Sequence, residues 1–214
     1  MNDDFVTSDK TKCPFTIDRM ARPRTVSDAA LLAAAQRAIA RRGPVRVTLV
    51  DVAHDAGLAA PTLVQRFGSK RQLLLAVARS GVEGIGACFA SARAGQVSPV
   101  AALLGAAVAL ARETRTAFLC LDLGEPDFRA LAAEASRRTL AGYAALLDEA
   151  VSLGELVPCD SARLARAVEA VAGGAVMACA IHRVSAAEQW VRQDLTTLLE
   201  PYAVKRSAPT ARDP

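Results

Sequence analysis

The chain has 214 residues, 52% of them apolar but only 4% aromatic, and a net charge of +4, which allows one or two small domains with an interior of Ala, Leu and Val. Such an interior is built more readily from helices than from β-branched strands, so an all-α fold is expected. No run of 18 uninterrupted apolar residues occurs, and the N-terminus carries Asp3, Asp4 and Asp9 with no apolar signal core; the expectation is a soluble cytoplasmic protein without a membrane partner.

Residues 1–22 are mixed polar without periodicity and read as a disordered arm. Arg19, Arg22 and Arg24 either follow DNA into a minor groove, as arms do in some helix-turn-helix proteins, or belong to a plain tail. Ser27 is placed to cap a first helix, with Asp28 in its first turn and Leu31, Leu32, Ala35 and Ile39 on its inner face; Gly43-Pro44 ends it. Thr48 caps a second helix, with Asp51 three residues on, close to a capping box. Leu49, Val52, Ala53 and Ala56 share a face there, and Gly57 suits a left-handed helix end. A third short helix (APTLVQRF) follows, and Ser69 with Gln72 forms a capping box for a fourth, striped by Leu73, Leu74 and Val77.

Two short helices meeting across a tight Gly turn form a helix-turn-helix, whose second helix enters the major groove in DNA-binding versions. The charge agrees. Residues 22–79 hold ten Lys and Arg against three Asp, a net +7, whereas residues 80–214 hold thirteen against fifteen, a net −2. A basic domain attracts phosphate backbone without reading sequence.

The segments LLAAAQRAIARRG, VTLVDVAHDAGL and TLVQRFGSK resemble the TetR family of bacterial transcription regulators, with the spacing from Gly43 through Thr48, Ala53, Gly57, Thr62 and Phe67 to Lys70 kept without a gap. The resemblance implies a helix-turn-helix DNA-binding domain over 23–72 and a larger helical effector-binding and dimerisation domain over 73–204, before a disordered tail at 205–214. It also implies a double-stranded DNA operator, a small-molecule effector and a homodimer as partners. The chain departs from the family pattern at two positions: Ala59 stands where a capping Ser is usual, and Val64 where a Tyr touches phosphate. Ala60, Pro61, Thr62, Val64 and Gln65 are left to read bases, Gln65 by pairing with adenine and the apolar groups by touching thymine methyls. Thr48, Arg66 and Lys70 are placed for phosphate, and Phe67 for the core.

In the second half, Ser98-Pro99 opens a helix in which Val100, Leu103, Leu104, Ala107, Val108 and Ala111 repeat at helical spacing while the opposite face is Ala and Gly. A helix apolar all round should be central. Glu125-Pro126 starts a long helix through Leu140, Tyr143, Leu147 and Val151 to Leu153-Gly154. Asp160 opens another with Leu164, Val168, Val171, Ala172, Ala175 and Cys179. Ser185 with Glu188 caps the last, which carries Trp190, Val191, Leu195, Leu198 and Leu199 and ends at Pro201. Two helix-interior glycines, Gly173 and Gly174, each cost about 1 kcal/mol against Ala, which suggests close packing by a helix of the same or of a second subunit. By the resemblance, the last two long helices make a dimer interface, here through Gly173, Gly174, Trp190, Val191 and Leu195.

Ile85, Phe89, Leu104, Val108, Phe118, Tyr143 and Met177 are candidates for the wall of an effector pocket, with Tyr143, Asp122 or His182 as its polar groups; the alternative is that they fill a solid core. A pocket of this kind suits a largely hydrophobic effector, not a sugar phosphate or a nucleotide. No HExxH, GxSxG with partners, P-loop or GxGxxG occurs, and the two histidines, His54 and His182, stand apart. No catalytic, metal or cofactor site is expected, and of the five scattered cysteines Cys88, Cys120 and Cys179 read as small buried hydrophobes. Two functions fit: a ligand-responsive DNA-binding regulator, most often a repressor by resemblance, or a helical dimer whose DNA reader has degenerated and which binds small molecules or proteins.

Overall fold

The computed structural model describes residues 26–120, 124–182 and 187–204, with the backbone alone for 113–120. They form eight α-helices: α1 (Asp28–Arg46), α2 (Leu49–Ala56), α3 (Ala60–Phe67), α4 (Lys70–Ala94), α5 (Pro99–Cys120), α6 (Pro126–Ser152), α7 (Ser161–His182) and α8 (Ala187–Leu199), followed by a 3-10 turn over Glu200–Tyr202. No strand occurs among the described residues, only an isolated bridge between Leu156 and Ala203. The expected arm and tail, Arg24, Cys13, Asp122, Ser185 and the side chains of Phe118 and Cys120 lie outside what is described.

Local chemistry sets the helix starts. The Ser27, Thr48, Ser69 and Ser98 hydroxyls each accept a backbone N–H three residues on, and the Asp160 carboxylate accepts from Arg163 in the same way. At Thr48 the capping box is complete, because the Asp51 carboxylate accepts the Thr48 N–H at 2.9 Å. Those bonds to Thr48 hold the Asp51 carboxyl below its ordinary pKa. The first helix breaks at Gly43, whose φ of +76° and ψ of 159° leave the helical region before Pro44. Gly57 ends α2 in the left-handed conformation.

Two apolar clusters organise the chain. The N-terminal one joins Leu31, Ile39, Val52, Leu63 and Leu75 of the first four helices, and it also takes in Phe128 from α6. The second gathers Leu103, Tyr143, Leu147, Val168, Val191 and Leu195. Burying each such Leu or Val contributes about 1.5–3 kcal/mol. Helix α4 runs through both clusters, giving Leu73 to Ala78 to the first and Ile85 and Phe89 to the second. Helix α5 packs against α1, α4, α6, α7 and α8, the central place its all-round apolar surface requires. By length and composition alone α4 and α7 are apolar enough to cross a membrane, but both supply core residues, and core helices share that composition.

Candidate DNA interface and effector cavity

Helix α3 presents its reader as its sequence suggests. Leu63 is completely buried and anchors the helix, while Pro61, Val64 and Gln65 are exposed and Ala60 and Thr62 half-exposed. Phe67 packs against the N-terminal core, as expected. Ala59 makes no side-chain cap bond, so the first turn rests on Pro61 and its preset φ.

Among the groups expected at phosphate, Thr48 is exposed at the start of α2. Lys70 Nζ donates to the Val45 carbonyl at 2.7 Å, which ties the last turn of α1 to the start of α4. Arg66 is exposed, and one nitrogen of its guanidinium donates to the Val26 carbonyl at 2.5 Å and to Asp28 at 3.0 Å. It ties α3 to the beginning of α1. Arg41 pairs with Asp55 and Arg42 with Asp51, so part of the positive charge is matched within the domain. Arg46 was missed from the sequence; it is exposed, lies beside the Val45–Lys70 contact, and makes no ion pair among the described residues. Its position two residues before a helix cap was the available signal.

In the C-terminal half, a cavity of about 530 Å³ lies between α4, α5, α6 and α7, with Gln36 of α1 at its edge. Its wall is mainly Val, Leu, Ile and Ala, among them Val82, Ile85, Leu110, Leu131 and Val176. Its polar groups are Gln36, Ser136, Thr139, Tyr143, Arg166 and Glu169. Burial, and then the nearby Glu169 carboxylate, raise the Tyr143 hydroxyl above its ordinary pKa. Burial likewise raises Glu169, against the opposing hydrogen bond from Ser136.

Of the residues expected in the wall, Ile85 and Tyr143 line the cavity. Leu104 and Val108 pack into the C-terminal core and do not reach it. Phe89 supports it from behind, its ring edge-on to Tyr143 with centroids 5.2 Å apart. Met177 is 47% exposed and lies beside the lining residues Gly173 and Gly174 without joining the wall, and His182 is exposed at the end of α7. The periodicity of α7 explains the correction: Val168, Ala172, Ala175, Val176 and Cys179 take the inner face and leave Met177 outside.

The candidate dimer residues divide in the same way. Gly173 and Gly174 are exposed at the cavity wall, and a Cβ added at either would meet nothing within 4 Å among the described residues, so no described neighbour accounts for them. Trp190 is half-exposed. Val191 and Leu195, by contrast, are fully enclosed in the chain's own core and have no surface to offer a partner. The glycine that is truly crowded is Gly142, where an added Cβ would stand 2.5 Å from the Phe89 ring.

The two halves are joined at the start of α6. Phe128 is inserted into the N-terminal core, and Arg71 in the first turn of α4 donates to Glu125 and Asp127, each at 2.8 Å. Those bonds, Glu125 foremost, hold the Arg71 guanidinium above its ordinary pKa. Helix α6 therefore touches the reader domain at one end and lines the cavity through Leu131 to Tyr143.

Comparison with known proteins adds to this geometry. Residues 31–77 match the model of bacterial regulatory proteins of the tetR family. The helix-turn-helix transcriptional regulator BetI of Agrobacterium fabrum is 47% identical over 51 residues, which are 24% of this chain and 25% of BetI, so the match spans a quarter of that relative. Solved structures share the fold along most of the chain. The TetR family regulator PfmR of Thermus thermophilus has a TM-score of 0.58 at 22% identity, over 82% of this chain and 99% of its own. SmeT, the repressor of the Stenotrophomonas maltophilia multidrug efflux pump SmeDEF, has 0.62 at 18%, over 89% and 98%. A protein of Saccharomonospora viridis solved in complex with choline has 0.69 at 23%, over 83% and 97%.

Proposed function

We propose, from the premise that the chain belongs to the TetR family of bacterial regulatory proteins, that it is a DNA-binding transcriptional repressor released by a small, largely apolar effector. The observation that carries this reading is α6, which lines an apolar cavity and also seats Phe128 in the core beneath the reader. An effector that fills the cavity and displaces α6 acts on the reader through Phe128 and Arg71. Its effect is bounded by the difference in its affinity for the DNA-competent and DNA-incompetent states. Choline in the neighbouring Saccharomonospora viridis structure supports the use of this fold to hold a small molecule.

Two readers one DNA turn apart, about 34–36 Å, are needed to engage a near-palindromic operator. The exposed apolar side chains of Met177 and Ile181 on α7, next to the cavity-lining Gly173 and Gly174 and with Trp190 half-exposed, support a homodimer built there. Within the reader, Gln65 and the apolar groups of Ala60, Pro61, Thr62 and Val64 read bases, while Thr48, Lys70 and Arg46 hold phosphate. The exposure of the α3 side chains favours this over a degenerate reader.

The test is selection from a randomised duplex library with the full chain, alongside sedimentation of the protein alone. Enrichment of a near-palindromic site by a dimer is the expected result. A monomer at micromolar concentration, or no enrichment at low salt, overturns the proposal.

A further inference from the structure

We infer that the cavity selects a ligand with an apolar body and a positively charged head, with Glu169 as its counter-ion; this rests on the reading of the cavity as the effector site. Its volume of about 530 Å³ falls in the usual range for small-molecule sites. Most of its wall offers an effector nothing but apolar contact. Among the described residues only two charged side chains line it, Glu169 and Arg166.

These two are not equivalent. Glu169 is half-buried on α7 and accepts a hydrogen bond from Ser136 Oγ of α6 at 3.1 Å. Arg166 lies one turn earlier, is exposed, and makes no ion pair with it. Other sheltered carboxylates in the fold are matched by arginine, Glu149 by Arg93 at 2.6 Å, Glu134 by Arg137 and by Arg138, and Asp55 by Arg41, while Glu155 takes two donors instead, the Ser98 hydroxyl and the Val100 N–H. Glu169 has no cation among the described residues. A carboxylate drawn partly out of water without a cation is costly, and burial raises its proton affinity accordingly. A ligand cation set against it restores the missing partner while its apolar body covers the remaining wall. An anionic head would meet Glu169 at the inner end and find its only counter-charge on exposed Arg166.

Three fluorescent probes of one apolar body separate the possibilities: diphenylhexatriene, its trimethylammonium derivative and its propionate derivative. Binding to the full chain is read by anisotropy. The trimethylammonium probe should bind about tenfold more tightly than the neutral one, the scale of one charge-assisted contact, and the propionate probe more weakly than either. Glu169→Gln keeps a partner for Ser136 and removes the charge. It should bring the cationic probe down to the neutral one and leave the neutral probe unchanged, which also reports that the variant is folded. Equal binding of all three probes, preference for propionate, or a cation preference that survives Glu169→Gln overturns the inference while leaving the cavity as a binding site. Failure of all three to bind the wild type overturns the effector reading of the cavity together with it.

Discussion

Gly142→Ala is the sharpest test of the packing behind the cavity. An added Cβ would lie 2.5–2.7 Å from three atoms of the Phe89 ring. Ordinary carbon contacts sit at about 3.5–4.0 Å, so the ring must retreat by about 1 Å. It has little room, because Phe89 is buried in the C-terminal core and its ring meets Tyr143 edge-on. Overpacking of this kind costs about 1–3 kcal/mol. Replacing a helical Gly by Ala returns about 1 kcal/mol. The net expectation is a loss of about 1 kcal/mol, or a fall in Tm of about 2–4 °C for a chain of this size. Urea denaturation at fixed protein concentration measures it, and repeating the substitution in a Phe89→Leu background supplies the control. Without the ring only the helix gain remains, so Ala at 142 should then stabilise. If Gly142→Ala is neutral or stabilising with Phe89 intact, the crowding argument is wrong.

Phe128→Ala should cost about 3–5 kcal/mol, since the ring is buried in the N-terminal core, and hydrogen exchange should quicken in α1 to α3 although the substitution lies on α6; unchanged protection there would deny the link between the halves. Arg46→Ala should weaken binding to all duplex sequences alike and flatten the salt dependence by about one unit, so an unaltered slope removes Arg46 from the phosphate contacts. Glu169→Gln should stabilise the free protein at neutral pH, because burial raises this carboxyl's pKa in the folded state and so penalises its ionised form. That gain should be complete above the raised pKa and vanish as pH falls below the ordinary carboxylate value of about 4.3, where the group is protonated folded or unfolded. A gain that persists at pH 3 would point to packing and away from charge.

What was legible in the sequence follows from range. Caps act over three residues, so Ser27, Thr48, Ser69, Ser98 and Asp160 could be read from neighbours alone, and each is bonded as expected. The break at Gly43-Pro44 and the left-handed Gly57 are equally local. Interactions between distant segments were not legible. Arg66 looks outward from the pattern of α3, but its partner Asp28 is 38 residues away. The acids Glu125 and Asp127 resemble ordinary helix-start residues, and only the fold brings Arg71 to them across more than fifty positions. Glu155 caps α5 from 55 residues away, at the Val100 N–H, which no local pattern announces.

The same limit explains the errors over α7 and α8. A stripe at helical spacing says that a helix has an inward face, but it does not say whose core receives it. Val191 and Leu195 satisfy an interface pattern and a core pattern equally, and the chain's own core claims both. Glycine is ambiguous for the same reason: a crowded Gly142 and the open Gly173 and Gly174 look alike until the facing helix is in place. The cavity is the extreme case, since its wall draws on α1, α4, α5, α6 and α7 and no one segment carries its outline. Glu169 shows the consequence. In the sequence it is a single acid interrupting an apolar helix, and an exposed position would have explained it. Only where α6 and α7 meet does it become a sheltered carboxylate lacking a cation, and that lack gives the cavity a chemical preference.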